Sequence, residues 1–340
     1  MPSKDSSAVK RRTTTSPARP RDSSSPATGA TDLVRNEMPS QLVRFVMATV
    51  ALALVATAIA LSVPSVRSSI WGGSRADLLL TTKKDVLDLQ SKPSTGAPHV
   101  EVLAVYPHDP KAFTQGLLVA TQGTEKFLIE STGLNGESSL RKVDIETGEV
   151  ITKFNLEQEL FGEGVALNKR GELVMLTWQN KKALVFDLSP EKNGSHAFVL
   201  KRETPFTTTT GEGWGIDSNG THFAVSDGSS TIAFWNAETL KEERRVTVTH
   251  RGEPVEYLNE LEFANGFIYA NIWFQHAVVK IDPADGKIVQ AFNCRELVSQ
   301  AEEILNHNNV LNGIAYDGDE DVFYLTGKRW RSVFKVRLSE

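Results

Sequence analysis

Gln115-Gly-Leu-Leu-Val119, Glu163-Gly-Val-Ala-Leu167, Trp214-Gly-Ile-Asp217, Asn259-Glu-Leu-Glu-Phe263 and Asn312-Gly-Ile-Ala-Tyr316 are five renderings of one segment, recurring about every fifty residues. A second apolar run follows each: Lys126–Glu130, Leu173–Leu176, His222–Val225, Phe267–Ala270 and Val322–Leu325. A third comes after, as in Ala183–Asp187, Thr231–Trp235, Ala277–Asp282 and Ser332–Val336, with turns such as Glu146-Thr-Gly148 and Ala284-Asp-Gly286 between runs. Short strands at even spacing, separated by turn signals, predict an all-β chain. A fifty-residue unit of three or four strands has the size of a propeller blade, so the repeat predicts a five-bladed β-propeller over residues 99–340. Ring closure hides strand edges that would otherwise template aggregation. The extra strand His99–Tyr106 is expected to pair into the last blade, which ends near Leu338. Glu296–His307 breaks the pattern. It spaces Leu297, Ala301, Ile304 and Leu305 at helical intervals and predicts a helical insertion between blades four and five.

The region before the repeat is of another kind. Residues 1–44 are rich in Ser, Thr, Pro and Arg and carry eight Lys/Arg against four acids, a composition that predicts a disordered basic tail. Phe45 to Val63 then run without a charge. A helix of that length spans about 28 Å, the hydrocarbon thickness of a bilayer. Arg35 and Arg44 lie on its N-terminal side, so the positive-inside tendency predicts a type II signal anchor with a cytosolic tail. Residues 64–98 become a stem, and the propeller faces the lumen of the Golgi or endoplasmic reticulum. The sequons at Asn193 and Asn219 are compatible with a luminal glycoprotein. The single cysteine, Cys294, rules out an intrachain disulfide. With a net charge of −5 and 23% charged residues, the chain has no basic excess that would argue for nucleic acid.

The repeat also predicts a site. The first strand of each blade lines the central channel, so equivalent positions sit at one height around the axis. Gln115, Glu163, Trp214, Asn259 and Asn312 share such a level, and their side chains are unlike one another, as a site requires and a core does not. In antiparallel blades the end of strand two lies beside the start of strand one. Those ends carry Trp178, Trp273 and Lys328, with Asp227 in blade three. One face thus gathers a carboxylate, a lysine, amides and three tryptophans. The seven histidines are scattered with no pair at ligand spacing, so no metal ligand set is expected. Carboxylates and carbonyls converging in the channel leave room for a structural calcium.

His108-Asp-Pro-Lys-Ala-Phe-Thr-Gln-Gly-Leu117, Ser131-Thr-Gly-Leu-Asn-Gly-Glu-Ser138, Phe161-Gly-Glu-Gly164, Leu176-Thr-Trp178, Gly211-Glu-Gly-Trp-Gly215, Tyr257-Leu-Asn-Glu-Leu-Glu262 and Leu325-Thr-Gly-Lys-Arg-Trp330 resemble the plant-type glutaminyl-peptide cyclotransferases. The resemblance covers roughly residues 100–338 and leaves out the tail, anchor and stem. It implies conversion of the N-terminal Gln of peptides and proteins to pyroglutamate with loss of ammonia, needing no cofactor. On that reading Glu163 moves the proton, while Lys328, Asn259 and Gln115 donate hydrogen bonds to the substrate amide or its oxyanion. Trp178, Trp214, Trp273 and Phe113 form the pocket. Glu260 either binds the substrate's amino group or orders the ring. A monomer is expected. Two other readings stay open on the fold: a non-catalytic ligand-binding propeller, and a calcium-dependent propeller hydrolase or lactonase.

Overall fold

A computed structural model describes residues 98–190, 196–301 and 308–339. Among them are five four-stranded antiparallel sheets and one two-stranded hairpin. After the opening strand β1 (His99–Pro107), blade one comprises β2 (Thr114–Gln122), β3 (Glu125–Thr132), β4 (Ser139–Val143) and β5 (Val150–Asn155). Blade two comprises β6 (Gly162–Leu167), β7 (Leu173–Thr177), β8 (Lys182–Pro190) and β9 (His196–Pro205). Blade three comprises β10 (Ile216–Ser218), β11 (His222–Ser226), β12 (Thr231–Asn236) and β13 (Glu242–Thr247). The small hairpin, β14 (Thr249–His250) with β15 (Glu253–Pro254), leads into blade four: β16 (Leu258–Ala264), β17 (Phe267–Ile272), β18 (Ala277–Ile281) and β19 (Ile288–Asn293). Blade five takes β20 (Leu311–Asp317), β21 (Val322–Gly327) and β22 (Ser332–Ser339), and is completed by β1 (His99–Pro107). The expected closure is present: β1 pairs antiparallel with β22, from His99 opposite Ser339 to Pro107 opposite Ser332.

Burial explains why the strands read as they do. Middle strands are sandwiched between neighbouring blades, so β4 and β7 are buried along their whole length and read as continuous runs. The outer strand β1 meets a neighbour on one face and alternates exposed and half-buried residues. Five hydrophobic clusters sit at the five blade interfaces. Phe127, Phe186 and Phe198 pack between blades one and two, and Phe206, Phe223 and Trp235 between two and three. Phe292, Phe323 and Phe334 fill the interface of blades four and five, and Leu117 with Tyr324 that of five and one. Phe234 and Leu261 belong to the interface of three and four.

The channel is narrow at the level of the second anchor residue. A Cβ on Gly116 would lie 2.8 Å from Gly164 Cα, and one on Gly164 would lie 2.9 Å from Gly215 Cα. Glycine is therefore required for the inner strands to approach. Blade four breaks the series with Glu260. Its fully buried carboxyl accepts the backbone N–H of Ile314 in blade five (2.9 Å) and of Leu117 in blade one (3.3 Å). Two residues deeper, Asp217 accepts from Phe263 N (2.6 Å) and Glu262 from Tyr316 N (2.8 Å), clasping blade three to four and four to five. Burial pushes all three acids above the usual carboxylate range, Asp217 up to about 7.

The helix expected over Glu296–His307 is α1 (Arg295–Gln300), whose Leu297 and Val298 join Cys294, the residue before it, in the core of blades four and five; residues 302–307 lie outside the described residues. So do the tail, the apolar run 45–63, nearly all of the stem, and Asn193. Among the described residues no helix is long and apolar enough to cross a membrane. Asn219 sits in the turn between β10 and β11, its Oδ1 accepting the N–H of Thr221 and His222.

Replacing Glu260 with Ala strands two buried N–H groups, at about 1–3 kcal/mol each. Urea unfolding of Glu260→Ala is expected to show a loss of about 2–6 kcal/mol on that basis; a midpoint equal to wild type contradicts the clasp.

Candidate active site

The anchors do not continue the regular ladder. In four of the five inner strand pairs the register shifts where the anchor stands: between Thr114 and Gly116, Gly162 and Val165, Leu258 and Leu261, and Leu311 and Ile314. Bulges of this kind re-aim side chains and release backbone groups from pairing. Here they fall on Gln115, Glu163, Asn259 and Asn312. The backbone around them is pinned across each blade boundary. Ser131 Oγ donates to Glu163 O (2.5 Å), Gly164 N to Trp214 O (2.7 Å) and Ser226 Oγ to Asn259 O (2.5 Å). Gly313 N donates to Asn271 Oδ1 (3.0 Å), and Asn312 Nδ2 closes the circle on Thr114 O (3.0 Å).

Glu163 is buried, and burial raises its pKa well above the ordinary value; the Lys328 charge opposes that rise and the Glu212 charge adds to it. Lys328, also buried, is pulled down to about 8 by burial, against the attraction of Glu163. These are two groups of opposite type whose proton affinities have been moved toward each other. Gln115 Nε2 donates to Glu163 Oε1 at 3.3 Å, while its own carbonyl faces Asn312 Nδ2 at 3.5 Å. That fixes the amide with its nitrogen toward the carboxyl. Asn259 is buried and its Oδ1 has no hydrogen-bond partner. An unpaired buried acceptor of this sort is costly unless something donates to it.

Half-buried aromatic rings form the walls. Phe113 meets Phe161 edge-on at 6.3 Å between centroids, and Phe161 meets Trp178 at 5.5 Å. Opposite, Trp214 and Trp273 cross at 88° and 5.4 Å, backed by Tyr257 and Phe274. Lys328 Nζ lies 4.9 Å from the Phe113 ring centroid, within cation–π range.

The blade-one and blade-five sides of the mouth are locked by a buried ion pair. His108 Nδ1 donates to Trp330 O (2.7 Å) and Nε2 meets Glu130 Oε1 (2.9 Å), which also accepts from Thr114 Oγ1 (2.8 Å). Burial alone would lower the His108 pKa, but Glu130 raises it on balance; Glu130, which burial alone would raise, is lowered by His108 and Arg141. Together with Arg329 N donating to Ala112 O (2.7 Å), this sets Phe113 against the Lys328 turn.

The structure therefore sets Gln115 on Glu163 and Lys328 over Phe113, with the Glu163 and Lys328 charges acting on each other; Trp178 and Trp273 follow the ends of β7 and β17, and Trp214 and Asn259 stand at the starts of the inner strands of blades three and four. Glu260 lies one level down and is engaged by backbone N–H groups of two other blades. Asp227 holds the loop before Trp214 by accepting from Thr210 N (2.9 Å). Sequence reasoning did not single out Phe161, Tyr257, Phe274 or Glu212. Glu212 lay in plain view, two residues before Trp214 in Gly211-Glu-Gly-Trp-Gly215, but no repeat position marked it. Among the described residues no group of three Asp, Glu, His or Cys side chains is arranged to hold a metal ion.

Comparison with known proteins bears on this constellation. The family model described as glutamine cyclotransferase matches residues 78–338. The glutaminyl-peptide cyclotransferase of Arabidopsis thaliana is 37% identical over 244 residues, which is 71% of this chain and 72% of its own length. The crystal structure of Myxococcus xanthus glutaminyl cyclase is similar at a TM-score of 0.63 and 32% identity, covering 72% of this chain and 97% of that one.

Proposed function

The chain belongs to the glutamine cyclotransferase family, and from that premise we propose that Glu163 is the proton-transfer group of its reaction, assisted by Lys328. The enzyme converts the N-terminal Gln of peptides to pyroglutamate: the α-amine nitrogen attacks the γ-carboxamide carbon, the C–N bond to the amide nitrogen breaks, and ammonia leaves. The observation that carries the assignment is a buried carboxyl and a buried lysine acting on each other's charge, the lysine seated over the Phe113 ring.

Ionised Glu163 takes the proton that the amine loses as the N–C bond forms. Its burial makes it a stronger base than a surface carboxylate, and that same proton affinity suits it to hand the proton to the departing nitrogen. Protonated Lys328 stabilises the negative oxygen of the tetrahedral intermediate. Gln115 holds the Glu163 carboxyl in place through its amide. The unpaired Oδ1 of Asn259 accepts an N–H of the substrate's amine or carboxamide. The indoles of Trp178, Trp214 and Trp273 enclose the folded glutaminyl side chain, hold it in the attacking conformer and exclude water. Side-chain groups supply every step, so we read the reaction as independent of metal.

The apolar run 45–63 supports a type II anchor that presents the enzyme to the secretory lumen, where peptide N-termini emerge. The full chain is then expected to stay with membranes through an alkaline carbonate wash; recovery in the supernatant contradicts the anchor.

Ammonia release from a Gln-initiated dipeptide tests the mechanism. Glu163→Gln, folded as judged by its unfolding midpoint, is expected to lose about 10²–10⁴ in kcat, the usual worth of a proton-transfer group. A chelator leaves the wild type unchanged. Because only protonated Lys328 serves, activity falls as pH rises through about 8, and Lys328→Arg, whose charge persists, moves that fall upward while lowering the maximum. Full activity in Glu163→Gln sinks the assignment.

A further inference from the structure

Glu212 stands outside the chemistry assigned so far, yet it touches both walls of the mouth. One carboxylate oxygen, Oε2, accepts the indole N–H of Trp178 at 2.8 Å and of Trp214 at 2.9 Å. The other, Oε1, accepts Gln179 Nε2 at 3.0 Å. The two indoles come from different blades, Trp178 from the end of β7 and Trp214 from the entry to β10, so a single side chain sets the angle between them. Glu212 is itself held. Its carbonyl accepts Thr208 Oγ1 (2.6 Å), its N–H donates to Thr210 Oγ1 (3.2 Å), and Thr210 is fastened to Asp227 through N and Oγ1 (2.9 Å each). Gly211 at φ +79° makes the turn that brings the carboxylate back over the mouth.

We propose that Glu212 is a positioning residue of the cyclisation: it fixes the two indole walls and holds a negative charge beside Glu163. The proposal rests on Glu163 as the proton-transfer group. A carboxylate near another disfavours the second charge, and Glu212 acts on Glu163 in that sense. The charged groups facing this pair are Lys328 from the turn after β21, Asp227 beneath the loop, and Lys181, whose side chain reaches Gly211. Lys328 acts on Glu163 in the opposite direction, so Glu163 sits between a charge that favours its ionised form and one that favours its protonated form.

The test compares kcat/KM of the full chain and its Glu212→Gln, Glu212→Asp and Glu163→Gln variants on one Gln-initiated dipeptide across acid and neutral pH. The substrate's own amine titration is common to all and cancels in ratios. Removing the Glu212 charge lets Glu163 ionise at lower pH, so the ratio of Glu212→Gln to wild type rises severalfold toward acid pH. KM rises, because the indole walls loosen. Glu212→Asp, which keeps the charge, holds the ratio flat. A wall held only sterically lowers activity by the same factor at every pH. A flat ratio for Glu212→Gln therefore overturns the proposal while Glu163→Gln still collapses. An active Glu163→Gln overturns the reading beneath it instead.

Discussion

Glu260 reaches from blade four to backbone N–H groups of blades one and five, at a level where glycine is what lets the other inner strands close up. A ring of few blades crowds its inner strands around the axis, and here the strands approach until a Cβ would strike the next blade. Where the chain does admit a side chain, it must satisfy the donors around it, because a buried N–H without an acceptor costs about 1–3 kcal/mol. A carboxyl with two oxygens does this for two blades at once. Asp217 and Glu262 repeat the device one level deeper. The ring is held by hydrophobic interfaces at its circumference and by acid-to-backbone clasps along its axis.

In four blades the inner strand also slips against its own second strand, at Gln115, Glu163, Asn259 and Asn312. Each slip turns a side chain toward the mouth and frees backbone groups, which are then taken up by the neighbouring blade. Glu163 is fixed by a hydroxyl from blade one on its carbonyl and an amide from blade one on its carboxyl. Lys328 is set by the closure of blade five against the segment from His108 to Phe113. The geometry of the proposed site is a property of the ring and belongs to no single blade.

Much of this was legible in the sequence, because repeats convert one-dimensional spacing into height on an axis. The anchors gave the blade count, and in the structure Gln115, Glu163 and Asn259 fall on strand-one bulges while Trp178, Trp273 and Lys328 directly follow the ends of β7, β17 and β21. What escaped notice depended on contacts between blades. Glu212 lies off the repeat, and its bond to two indoles exists only once blades two and three are adjacent. The resemblance left Glu260 as substrate-binding or ring-ordering; its two backbone partners lie far away in sequence, and the structure shows the ordering contacts. The hairpin β14–β15 has two residues per strand, too short for any alternation to mark it.

The central claim is that Glu163 and Lys328 work as one unit. A double-mutant cycle on kcat/KM for a Gln-initiated dipeptide tests it, using Glu163→Gln, Lys328→Met and the pair combined. Groups acting on one transition state are non-additive, so the double variant is expected to be no slower than the slower single. Losses that multiply would mean two independent contributions and would contradict the account.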